Sequence, residues 1–155
     1  MYKRQGAVSY WHKAGQRALA RSAMAEAVAQ LTRGLELLAG LPTGRDRDRK
    51  ELDLLVALGR AFISTKGWAA PEVAKTYERV RELCSEEALH PQLLAALSGL
   101  QAHHLHRSGA GVGVKIAEEL LRAAERQRHP NVRAAGHQIL GLILACCSTG
   151  GCPRP

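Results

Sequence analysis

Trp11-His-Lys-Ala-Gly-Gln-Arg-Ala18 and, after a short interval, Ala27-Val-Ala-Gln-Leu-Thr-Arg-Gly34 are the two stretches from which the fold of this chain is read. The first carries large Trp11, then Ala14 three residues on, small Gly15 directly after it, and a fourth position at Ala18, the only undersized one. The second carries small Ala27, large Leu31 four later and small Gly34 three after that. Steps of three and four place residues on one face of a helix. A small residue on such a face lets a second helix come close, while the large ones fill the space to a neighbouring pair. Two antiparallel helices are therefore predicted, with Ser22 capping the second and Leu41-Pro42 ending it.

The same spacing recurs downstream. Leu55, Leu58, Gly59 and Phe62 repeat the first-helix pattern, and Val73, Tyr77 and Val80 the second, across a turn at Lys66-Gly67-Trp68. Pro71 suits the first turn of a helix, where its missing N–H would have no intrahelical partner. A third unit reads Leu97, Leu100, Gln101 and His104, then Gly113, Ala117 and Leu120; a fourth begins with His137, Leu140, Gly141 and Leu144 and lacks a second helix. The units are placed at 8–41, 46–85, 91–128 and, incomplete, 131–147, within one helical domain over 6–147. From Trp11 to Leu55, Leu97 and His137 the steps are 44, 42 and 40 residues. That is longer than the tetratricopeptide repeat of about 34, and it leaves another α-solenoid class open. The fold class expected is all-α, a right-handed α-solenoid of tetratricopeptide-like helix pairs.

Composition agrees with helices and narrows the function. Ala and Leu dominate a 46% hydrophobic content while aromatics make up 4% of the 155 residues. A net charge of +8 raises the question of nucleic acid, but the charges are scattered. The densest run, Arg45-Asp-Arg-Asp-Arg-Lys-Glu51, alternates in sign and reads as a solvated linker or a first helical turn. No stacking platform or reading motif accompanies it, so nucleic acid is disfavoured as a partner. The longest apolar run, Ile139 to Cys147, falls short of the about 20 residues of a membrane span, and no membrane partner is expected. Cys84, Cys146, Cys147 and Cys152 lack metal spacing and read as reduced thiols of a cytoplasmic protein.

Three motifs are weighed and set aside. Gly109-Ala-Gly-Val-Gly-Val-Lys115 has Val114 where a phosphate loop or a dinucleotide fingerprint needs Gly, so it reads as an inter-helix turn with Gly113 packing. His103, His104 and His106 lack the further Cys or acidic ligands that a structural metal site needs. Glu118 and Glu119 are adjacent on a helix and point about 100° apart, so they cannot share one acid–base site. No nucleophile with its base is found, and neither enzymatic activity nor a cofactor is expected of this chain.

Tyr10-Trp-His-Lys-Ala-Gly-Gln-Arg-Ala-Leu-Ala-Arg-Ser22, Ala27 to Leu38 and Thr65-Lys-Gly-Trp-Ala-Ala-Pro-Glu-Val73 resemble the tetratricopeptide region that follows the ATPase module in large bacterial signalling proteins with an N-terminal adenylate/guanylate cyclase domain. The likeness covers Tyr10 to Leu144 and is strongest before residue 85; Leu100 to His106 departs from it, standing where that family is aromatic-rich. It implies a non-catalytic regulatory or protein-binding scaffold within a longer chain, with cyclase and nucleotide-binding modules upstream. Two other readings are a structural spacer that couples those modules without a ligand of its own and a basic nucleic-acid-binding helical domain. In tetratricopeptide proteins the first helix of each pair lines the concave face. The matching groove positions here are His12, Gln16, Arg60, Ser64, Ser98, Ala102 and His106, facing a protein or peptide partner or other domains of the parent chain.

Both ends depart from the pattern. Met1-Tyr-Lys-Arg-Gln5 matches the translation of a common sequencing-library adapter and is read as an artefact; without Lys3 and Arg4 the charge falls from +8 to +6. Residues 148–155 read as an irregular or truncated tail. The uncovered apolar helix from His137 to Cys147 is expected to cause self-association, since solenoid ends normally need a polar cap.

Overall fold

Tyr2–Ala20 forms α1, Met24–Ala39 α2, Arg45–Lys66 α3 and Pro71–Leu83 α4 in a computed structural model, which describes residues 2–83 together with 99, 100, 103, 114, 115, 118, 121, 122, 137, 140, 141 and 145. No strand occurs among the described residues. α1 takes residues 2–5 into the same helix as Trp11, which bears on how that stretch folds and not on its origin. The chain divides at Gly67 into two compact units, 1–67 and 68–155.

In the first unit, α1 and α3 each pack on α2 and touch one another. Ala18, Ala27, Leu31, Leu54 and Ala61 are wholly buried there, joined by Val8, Leu38, Ala57 and Leu58. The small positions decide the approach of the helices. A Cβ built on Gly15 would meet Leu31, and one on Gly34 would lie 3.0 Å from Leu54 Cδ2 and 3.5 Å from Trp11 Cβ. Ala18, undersized against the pattern, still sits at full burial. Leu54, which the repeat register passes over in favour of Leu55, is the deeper of the two.

One sequence reading is corrected by the local geometry and another is decided between its alternatives. Ser22 does not cap α2: Ala23 occupies that place and no side chain caps the helix. Ser22 instead has φ +59°, and the bonds Ala23 N to Ala18 O (2.9 Å) and Ser22 N to Leu19 O (3.0 Å) form the paired closure of a Schellman motif at the end of α1. Of the two readings of Arg45 to Glu51, the helical start holds: the run opens α3, with one side turned inward and not wholly solvated. The Arg47 guanidinium lies 3.4 Å from both the Leu38 carbonyl and Glu51 Oε2, and Glu51 is buried. A four-residue step in an alternating run puts opposite charges on one face, which is why this half of α3 can bury a carboxylate. Asp46 and Asp48 meanwhile occupy the first turn, where the helix dipole favours negative charge.

α3 ends as the sequence suggests. Gly67 has φ +82°, a conformation that L side chains rarely adopt, and its N–H closes on the Ile63 carbonyl at 2.9 Å. In the second unit α4 begins at Pro71 and buries Val73, Tyr77 and Val80. Leu100 is buried as well, and a Cβ on Gly99 would collide with the Tyr77 ring. Residues 84–98 and most positions beyond Leu100, including Gly113, Ala117 and the tail at 148–155, lie outside the described residues.

Candidate functional site

α1 and α3 carry the groove positions that the structure describes, and both belong to the first unit. His12 and Gln16 stand one helical turn apart on α1. The Gln16 amide donates to His12 Nε2 at 3.1 Å, which leaves the imidazole proton on Nδ1 when the ring is neutral. Gln16 is exposed and His12 half-buried, so the pair presents an amide oxygen and a ring N–H as one preset polar group.

Arg60 and Ser64 make the corresponding step on α3 and are both exposed, beyond the buried stripe Leu54, Ala57, Leu58 and Ala61. Their neighbours are already engaged. The Thr65 hydroxyl donates to the Ala61 carbonyl at 2.9 Å, and Lys66 Nζ lies 5.5 Å from the centre of the Phe62 ring. Arg60 and Ser64 have no such partner among the described residues. Arg79, on α4, is exposed and pairs with Glu82 at 2.9 Å. Ser98, Ala102 and His106, the remaining groove positions, lie outside the described residues.

The histidine cluster contributes a residue that the repeat register did not single out. His103 is buried, and its Nδ1 donates to the Trp68 carbonyl at 2.9 Å. It stands three residues after Leu100, on the same helix face, and that step was the available signal. His104 and His106 lie outside the described residues, and no group of three or more potential metal ligands occurs among the described ones. Lys115 is exposed, and Glu118 faces solvent with Arg122 Nη1 at 3.8 Å, as its reading as a solvated residue requires. No helix among the described residues is long and apolar enough to cross a membrane.

No family model matches the chain, and no curated protein matches it in sequence. Among solved structures it is similar to the C-terminal TPR-containing domain of a Plasmodium falciparum FK506-binding protein, with a TM-score of 0.64 over 94% of this chain and 93% of that one, at 12% identity. The fold is thus the all-α helical repeat of tetratricopeptide type that the small and large positions of α1 to α4 indicate.

Proposed function

We propose that this chain is a non-catalytic protein-interaction scaffold whose partner docks on the face presented by the first helix of each pair. The observation that carries it is Arg60: an exposed guanidinium without an ion-pair partner among the described residues, one turn from an exposed Ser64 hydroxyl, on a helix whose opposite side is fully packed. A guanidinium in that setting suits a carboxylate, which it can hold by two parallel bonds. His12 and Gln16 add a preset polar pair on α1; Ser98, Ala102 and His106, the matching positions in the sequence register, lie outside the described residues. The ligand class is a peptide segment or domain with an acidic side chain or a free C-terminal carboxylate.

The wider setting follows from the sequence resemblance: a cytoplasmic signalling protein of bacterial type, in which this segment receives partners or couples to cyclase and ATPase modules upstream. Panning a random peptide library on the intact chain tests the scaffold reading. Enriched carboxylate-bearing peptides that lose affinity on Arg60→Ala support it, and enrichment indifferent to Arg60, His12 and Gln16 defeats it. The reading frame upstream in the source genome tests the setting.

A further inference from the structure

Tyr10, Lys13 and Arg17 on α1 and Arg21 in the turn line one wall of an open groove of about 550 Å³, and Glu26 and Gln30 on α2 line the other. None of the groove positions on α1 and α3 discussed above belongs to it. Lys13, Arg17 and Arg21 follow one another at four-residue steps, which repeats a positive charge about every 6 Å along the helix direction. Arg21 leans across to Glu26 at 3.4 Å, but the two side chains are 66% and 47% exposed, a weakly held surface pair. Lys13 and Arg17 have no ion-pair partner among the described residues.

Two further features belong to residues of the groove. Tyr10 is 63% exposed, and its ring stands edge-on to Trp11 at 5.4 Å, so an aromatic surface faces solvent in a set orientation. The Gln30 amide donates to Glu26 Oε1 at 2.7 Å; a carboxylate only accepts, which fixes the amide's orientation. Gln30 Oε1 is then left buried without a donor among the described residues.

We infer that this groove is a docking site for an acidic amphipathic helix of a partner protein. Carboxylates at four-residue spacing on such a helix recur at the same about 6 Å as Lys13 and Arg17, and an apolar side chain beside them would cover Tyr10 and Ala14. Nucleic acid fits less well, since three cations make too short a row to follow a phosphate backbone and no stacking platform of several rings accompanies them. A membrane surface fits less well too, since Tyr10 is the one large ring on this wall and no apolar face accompanies it. The site is independent of the Arg60 surface.

The test uses a fluorescein-labelled, hydrocarbon-stapled peptide with Glu at three positions of four-residue spacing, titrated with the intact chain at low salt and read by anisotropy. Saturable binding is expected, weakened about tenfold by Lys13→Glu with Arg17→Glu and regained when the peptide's Glu residues become Lys, which also shows that the variant is folded. Arg60→Ala should leave this binding within about twofold, separating the two surfaces. Absence of saturable binding, equal binding of a peptide with Gln in place of Glu, or indifference to the Lys13 and Arg17 changes would overturn the assignment. So would tighter binding of a short DNA duplex or of phosphatidylserine vesicles through the same two residues.

Discussion

Gly15 on α1 faces the wholly buried Leu31 on α2 so closely that a Cβ at Gly15 would stand 2.5 Å from Leu31 Cγ. Cγ is the branch point of the side chain, not its flexible end, and Leu31 is wholly buried among its neighbours. Gly15→Ala is therefore expected to destabilise the chain by about 1–3 kcal/mol, despite the better helix propensity of Ala. Urea denaturation followed by circular dichroism measures it. Leu31→Ala in the same background should recover part of the loss, a coupling that a double-mutant cycle reads directly.

Ser22 offers a change of the opposite sign. A serine in the left-handed conformation at the C′ position of a Schellman motif bears a Cβ cost that glycine lacks. Ser22→Gly should stabilise by about 0.5–1 kcal/mol, and a loss of stability in thermal melts would show that the hydroxyl has a role not visible in the closure.

At Gly67 the backbone argues the other way. With φ +82° and open space around the missing side chain, Gly67→Ala meets no steric neighbour, so its cost isolates the conformation. A loss of about 1 kcal/mol or more is expected by equilibrium unfolding, and none at all would show that the α3 terminus can relax.

His103→Leu keeps comparable bulk but removes the donor to the Trp68 carbonyl. The bond is part-buried and its acceptor belongs to the exposed Trp68, so its loss is expected to cost about 0.5–1.5 kcal/mol. His103→Asn, which can still donate, should cost less; equal losses from the two would assign the effect to packing.

For a carboxylate-bearing ligand on the α1 and α3 face, Arg60→Ala should raise the dissociation constant by about fivefold or more, and Arg79→Ala should not. Arg79 already pairs with Glu82 on α4. Isothermal titration calorimetry of both variants decides, and matching effects would remove Arg60 from the site.

Self-association through the segment from His137 to Cys147 is tested by size-exclusion chromatography under reducing conditions. A monomer at high concentration would show that this end is covered, whereas a concentration-dependent shift removed by a designed capping helix would support the open-end reading.

The helices were legible because their signal is local. Gly15, Gly34, Leu31, Leu58 and Tyr77 announce their packing roles through steps of three and four, a periodicity carried in the order of residues alone. Gly67 and Pro71 likewise mark one helix end and the next start, since each acts through its own backbone geometry. The groove positions rest on the repeat register alone, and the sequence pattern behind that register is weakest at residues 97–106.

What the sequence by itself determined was the class of structure: helix pairs, their approximate limits and which faces turn inward. Tertiary structure alone decided which of two adjacent leucines, Leu54 or Leu55, fills the space at Gly34, because that depends on the rotation of α3 against α2 by a fraction of a turn. It decided that Ser22 ends a helix instead of starting one, since capping oxygens and left-handed closures draw on the same small polar residues. It also decided that Lys13 and Arg17 share a groove with Tyr10 and Gln30. Their charges are local facts, but the wall opposite them is supplied by another helix, and only the packing of α1 on α2 brings the two together.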